Sequence, residues 1–172
     1  MISLTNGKRV KKKKNSFLRG IWEWAACHLW LVTVIVFLFG FALRLYFSFK
    51  TGPMVTQVVY PDEIRFLHIA QSLAQHGQIM VRGAPASFQK ILYPLLISPA
   101  FLLTDNVLRQ ANIIMAINSL LVSSTVFPAL ILAKKITKNS SVILISILFT
   151  ATLPDMAYSA LIMSEALYMP LV

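Results

Sequence analysis

The chain has 172 residues, 57% of them hydrophobic and 13% charged, against roughly 25% charged in an average soluble domain, which argues against an ordinary soluble globule. Its formal charge of +10 is concentrated. Seven of the sixteen basic residues lie between Lys8 and Arg19, ahead of the first acid, Glu23, and the rest of the chain carries nine against six. Positive charge confined to a tail, with no stacking aromatics interleaved, argues against a nucleic-acid partner. The single cysteine, Cys27, rules out an internal disulfide and a cysteine-based metal site.

The run Lys8–Lys14 cannot bury itself and reads as a cytoplasmic tail over residues 1–21, lying against anionic headgroups or acting as a topology signal. Residues 22–172 read as a transmembrane domain. Ala25 to Leu43 carry no formal charge, with Trp22, Trp24 and Trp30 at one end and Tyr46 at the other, which predicts a first span over about 24–46. The run is too long for the apolar core of a cleaved signal peptide. A second span is expected over about 110–133, closed by Lys134, Lys135 and Lys138, and a third over about 141–163, interrupted by Pro154 and Asp155. A fourth would start near residue 165. The fold expected is all-α, a polytopic helical membrane protein with three to four spans and an external loop over 47–109.

Lysines and arginines collect in short cytoplasmic loops, so the amino terminus and Lys134, Lys135 and Lys138 are expected inside, in the cell membrane. That parity holds only if Ile91–Leu103 does not cross. Its 13 residues would make about 20 Å of helix, too short for a span, and it reads as an interfacial segment broken by Pro94 and Pro99.

Within the external loop, residues 61–77 have helix grammar. Pro61 suits the first turn, Asp62 and Glu63 suit the positive end of the dipole, and His76 and Gly77 suit the close. Phe66, Ala70 and Leu73 share a face, and Arg65, His68, Gln71, Ser72 and Gln75 cover much of the rest, which predicts an amphipathic helix on the membrane surface. Asp62 and Glu63 can serve as caps alone. About 20 residues at 1.5 Å each, counted outward from Lys138, also bring Glu165 to the outer boundary. Asp62, Glu63 and Glu165 are therefore expected on one side of the membrane. His68 or His76 could join a carboxylate on a divalent metal, but no feature demands one.

In order and spacing, Arg44, Asp62-Glu63, Ala70, Leu73 and Gly77, then Tyr93-Pro94-Leu95 and Ser164-Glu165-Ala166-Leu167-Tyr168, resemble the amino-terminal part of the GT-C superfamily of integral membrane glycosyltransferases. These are the polyprenyl-phosphate-sugar enzymes related to protein O-mannosyltransferases and the lipid A aminoarabinose transferase. The resemblance runs from about residue 44 to 168. Phe66 stands where members often carry Tyr, and Lys90-Ile91 where they carry paired prolines. The resemblance implies inverting transfer of a sugar from a polyprenyl-phosphate donor to a glycan, lipid or protein acceptor at the outer face. It implies Asp62 as base, Glu63 as a capping or positioning group, Glu165 orienting acceptor or metal, and Arg82, Lys90 and Arg65 as cations for the leaving phosphate, with Arg44 either a further cation or a side chain snorkelling at the end of the first span. It further implies that 172 residues form only the front of such a bundle.

A different class stays open: a non-catalytic small membrane subunit or a transporter fragment, using Asn112, Asn118, Ser119, Ser123 and Ser124 to bond other helices. A transporter is expected to carry ionisable groups near the middle of its spans, where this sequence offers only Asp155.

Overall fold

The computed structural model describes residues 19–51, 61–81, 83–85, 91–152 and 164–171, apart from the side chains of Thr51, Pro61 and Asp62. Residues 19–27 are helical and lead through His28, whose N–H is shared between the Trp24 and Ala25 carbonyls, into α1 (Leu29–Thr51). The remaining helices are α2 (Pro61–His76), α3 (Leu92–Ile97), α4 (Pro99–Leu103), α5 (Val107–Ser123), α6 (Val126–Ile136), α7 (Ser140–Thr152) and α8 (Glu165–Tyr168). One feature departs from the all-helical expectation. Met80–Val81 (β1) pairs antiparallel with Ala84–Pro85 (β2), Met80 opposite Pro85 and Val81 opposite Ala84, around a turn in which Gly83 takes φ +80°. That conformation favours glycine.

Among the described residues two helices are long and apolar enough to cross a membrane: Leu29–Lys50 and the nearly continuous Val107–Ile136. The first extends past the expected boundary at 46, through Lys50, because the aromatic residue Tyr46 does not end it. The second starts earlier than 110, because Asn106 caps it by accepting the N–H groups of Leu108 and Arg109 at 3.0 and 3.2 Å. The expected external loop 47–109 therefore loses both its ends to helices. Inside Val107–Ile136 the ladder loosens at Ser124–Thr125. Pro128 has no N–H to give the Ser124 carbonyl, and that oxygen accepts instead from Phe127 N–H at 3.0 Å. The Ser124 and Thr125 hydroxyls bond the Leu121 and Val122 carbonyls at 2.6 and 2.7 Å.

Over the expected third span, the described helix covers Ser140–Thr152 and residues 153–163, with Asp155, lie outside the described residues. The expected fourth span is represented by the single turn of α8, after which residues 169–171 form a turn. The basic run Lys8–Lys14 lies outside the described residues.

The long helices run antiparallel. Trp30, near the start of α1, lies 5.2 Å from the Lys134 ammonium near the end of α6, whereas Arg44 further along α1 bonds Ser123 at the end of α5. Trp22 donates its indole N–H to Ser141 at 3.0 Å. The start of α1, the end of α6 and the start of α7 thus meet at one end of the bundle, the lysine end, where an aliphatic cluster of Val126, Leu130, Ala133, Ile143 and Ile147 sits against Val36 and Phe37. Most of α1's other face is bare, and Trp30, Leu38 and Phe39 are more than half exposed.

At the opposite, loop end, α2 lies across α3, α4 and the hairpin, while α4 and α8 pack on α5. Phe66 and Ala70 from α2 join Tyr93, Ile97, Ala100, Ile114 and Leu167 in a second core. The helix 61–76 ends as its sequence demands: Gly77, at φ +64°, donates its N–H to the Leu73 carbonyl at 3.1 Å. Ile69, fully buried beside Ala70, was not among the expected apolar face, and Ser72 turns inward to bond the Gln78 carbonyl at 2.8 Å. Ile91–Leu103 does not cross the bundle. It forms two short helices meeting at Ser98, with Pro99 opening the second; Pro94 does not break the first, because it occupies the initial turn, where no N–H is required.

Candidate active site

Residue 93 is the centre of the loop-end site. The Tyr93 ring is 1% exposed and stands edge-on to Phe66, centroids 5.2 Å apart at 80°. Its hydroxyl donates to Asn118 Oδ1 at 3.2 Å, joining α3 to the middle of α5. Burial pushes the Tyr93 pKa well above its ordinary value; the Asn118 bond opposes this, and the negative charges of Glu63 and then Glu165 push the same way as burial. Tyr93 is thereby kept as a neutral O–H donor.

Glu63 and Glu165, about a hundred residues apart in sequence, therefore both act on the hydroxyl of Tyr93. Glu63 is 5% exposed in the first turn of α2, and Glu165 opens α8 at the surface. Asp62 is in the same first turn; its side chain lies outside the described residues.

The three expected phosphate cations fare differently. Arg65 is exposed, and two positions beyond Glu63 it stands about 200° round the helix from that buried carboxylate. Arg82 and Lys90 lie outside the described residues. Among the described residues no group of three or more His, Cys, Asp or Glu side chains is placed to hold a metal; His68 and His76 lie along α2 beyond its first turn.

Arg44 is where the sequence reading needs correction. Its side chain does not reach the end of the span as a snorkelling cation. It is buried in the bundle, with Nη1 donating to Ser123 Oγ and Nη2 to the Ala151 carbonyl, both at 3.3 Å, tying α1 to α5 and α7. Gly40 makes the room, since a Cβ there would stand 2.9 Å from Nη1. The spacing Gly40–Arg44, one helical turn inside a bulky apolar run, was the available signal. The membrane-compatible helix Leu29–Lys50 thus does contain a buried ionisable residue, and the lack of such groups no longer separates the enzyme reading from the transporter reading. Of the polar residues expected to bond other helices, Asn118 and Ser123 do so, while Ser124 bonds within its own helix.

No protein-family model, curated protein or solved structure matches this chain.

Proposed function

We propose that this chain is the catalytic front of a membrane glycosyltransferase of the GT-C type. In this reading it lies in the cell membrane with three or four spans and its amino terminus in the cytoplasm, and it transfers a sugar from a polyprenyl-phosphate donor at the outer face. The observation that supports the reading is the buried Tyr93 hydroxyl, bonded to Asn118 and within electrostatic reach of both Glu63 and Glu165, with Glu63 in the same helical turn as Asp62. The two apolar helices and the bare face of α1 support the bilayer as surroundings.

In the proposed reaction an acceptor hydroxyl or amine attacks the anomeric carbon of the donor with inversion. A new bond forms from the acceptor atom to that carbon as the bond from the carbon to the phosphate oxygen breaks. The acceptor proton passes to the Asp62 carboxylate, and polyprenyl phosphate leaves with the bonding electron pair. Positive charge from Arg82, Lys90 or Arg65 offsets the charge developing on the phosphate. Glu63, buried in the same turn, positions it, and Glu165 orients the acceptor or a divalent cation accompanying it.

Replacing Asp62 by Asn keeps the shape and removes the base. Transfer should fall by about two to four orders of magnitude, with membrane insertion unchanged. Unchanged transfer in that variant would remove Asp62 from the mechanism. Sidedness is tested on a Cys27→Ala background. A cysteine at Ser140 should label from the cytoplasm and one at Gln78 from outside; the reverse pattern would sink the topology.

The second reading, a non-catalytic subunit or transporter fragment, is favoured by the buried guanidinium of Arg44. If it is right, substituting Asp62 leaves function intact and substituting Arg44 does not.

A further inference from the structure

A cleft of about 350 Å³ lies between α2 and the α4–α5 corner. Its floor is apolar, made by Leu67, Phe101, Ala111 and Ile114, and its walls carry His68, Gln71, Gln75, Asp105 and Gln110. A shallower hollow of about 260 Å³ adjoins it, sharing His68, Gln71 and Gln75 and reaching Met80 and Gly83. The spacing 68, 71, 75 aligns these side chains along one face of α2.

The chemistry of the walls is selective. Among the described residues His68, Gln71, Gln75 and Asp105 make no side-chain hydrogen bond, whereas Gln110 donates to the Thr104 carbonyl at 2.8 Å and keeps its own side-chain oxygen as an acceptor. Each amide offers donor and acceptor together, which matches a ligand whose groups are themselves both, as hydroxyls are. Among the described residues no lysine or arginine lines the cleft, and Asp105 does, so an anion is disfavoured there. An apolar floor beneath such walls fits the C–H face of a sugar ring. A volume near the lower end of ordinary ligand pockets, about 300–1,000 Å³, suits one or two rings. At and beside the rim, Leu102, Leu103, Val107 and Leu108 are all more than half exposed and offer apolar side chains on either side of Asp105.

We infer that this cleft binds the uncharged, polyhydroxylated headgroup of a lipid-linked glycoside, whose hydrocarbon chain lies over the apolar side chains of Leu102, Leu103, Val107 and Leu108. No residue of the cleft belongs to the proposed transfer chemistry, and the site can exist with or without it.

The test is equilibrium binding of radiolabelled octyl β-glucoside, below its micellar concentration, to the chain in phosphatidylcholine nanodiscs. Methyl β-glucoside and octyl phosphate serve as competitors. Saturable binding is expected, weakened tenfold or more in Gln71→Leu/Gln75→Leu and in Asp105→Leu, with octyl phosphate failing to compete and methyl β-glucoside competing at least tenfold less well than unlabelled octyl β-glucoside. The variants alter exposed positions, and unchanged helical circular dichroism verifies their fold. Equal binding by the variants would mean simple partition into lipid and would overturn the inference. Equal competition by the methyl glucoside would remove the lipid-linked occupant, and stronger competition by octyl phosphate would remove the uncharged one. The assay involves no transfer step, so its failure would leave the proposed reaction standing, and the loss of that reaction would leave the cleft standing.

Discussion

The two cores of this bundle are built differently from similar helices. At the lysine end Val126, Leu130, Ala133, Ile143 and Ile147 close on one another as aliphatic groups alone. At the loop end the apolar cluster surrounds a tyrosine bonded to an asparagine, with a buried glutamate within electrostatic reach. A core that only holds helices together gains nothing from polar groups that must be desolvated and satisfied. The lysine end therefore reads as the anchor and the loop end as the working part. The difference can be attacked from both sides.

The largest effect on stability is expected at the anchor. Leu130 is fully buried among branched side chains, and Leu130→Ala should cost about 2–5 kcal/mol, measured by denaturant unfolding in mixed micelles. The native fraction that survives should keep the loop-end site intact. A loss below about 1 kcal/mol would mean that the helices relax into the gap and that this core is not tightly packed.

A smaller effect on stability, with a larger one on function, is expected from Tyr93→Phe. The ring still stands edge-on to Phe66, but Asn118 Oδ1 loses its donor in a buried place, a cost of about 1–3 kcal/mol. Combining it with Asn118→Leu should recover part of that loss, because the buried amide oxygen that lost the Tyr93 donor is then gone. If the double variant is no better than Tyr93→Phe alone, the hydrogen bond is not what holds α3 to α5.

The same tyrosine gives the loop end a pH signature. Burial, with Glu63 and Glu165 adding to it, makes the folded chain hold the Tyr93 proton more tightly than the unfolded chain does. Below the ordinary tyrosine value of 10.0 both states keep the proton and this group contributes no slope. Above it the unfolded chain releases the proton while the folded chain retains it, so stability falls as pH rises. Tyr93→Phe should flatten that alkaline fall relative to the unaltered chain; parallel curves would show that Tyr93 ionises as freely folded as unfolded.

How far the sequence reached follows the same division. Helix 61–76 was legible to its last residue, because Pro61 and Gly77 are local signals whose conformations are fixed by their own backbones. The non-crossing of Ile91–Leu103 was legible from length. The start of α5 was placed too late, at about 110, because the local signal that sets it is the Asn106 cap and not the onset of the long apolar run. That Glu63 and Glu165 both lie within electrostatic reach of Tyr93 was not legible, since span counting fixes depth and not direction around the bundle. Tyr93 at the centre had no local signal beyond its place in a family-like motif, as its partners come from three other helices. Arg44 was misjudged for a related reason: whether a long cation turns outward or inward depends on a neighbour one turn away, and here that neighbour is Gly40.

Gly40 therefore offers the finest probe of how the two ends are joined. Arg44 lies between the cores, bonded to Ser123 and to the Ala151 carbonyl, and the glycine spares its guanidinium a contact at 2.9 Å. Alanine has the better helix propensity by about 0.8–1.0 kcal/mol, so if space did not matter Gly40→Ala would stabilise α1. Instead the added methyl should push Nη1 from Ser123, and a net loss of about 1 kcal/mol is expected as one charge-assisted bond weakens. The contrast with Gly40→Ala on an Arg44→Met background isolates the cause. There the methyl meets a flexible apolar chain and the propensity gain should return, giving a coupling of about 1–2 kcal/mol in the cycle. Additive effects would mean that Arg44 swings clear at no cost, and that the join between the two cores rests on helix packing alone.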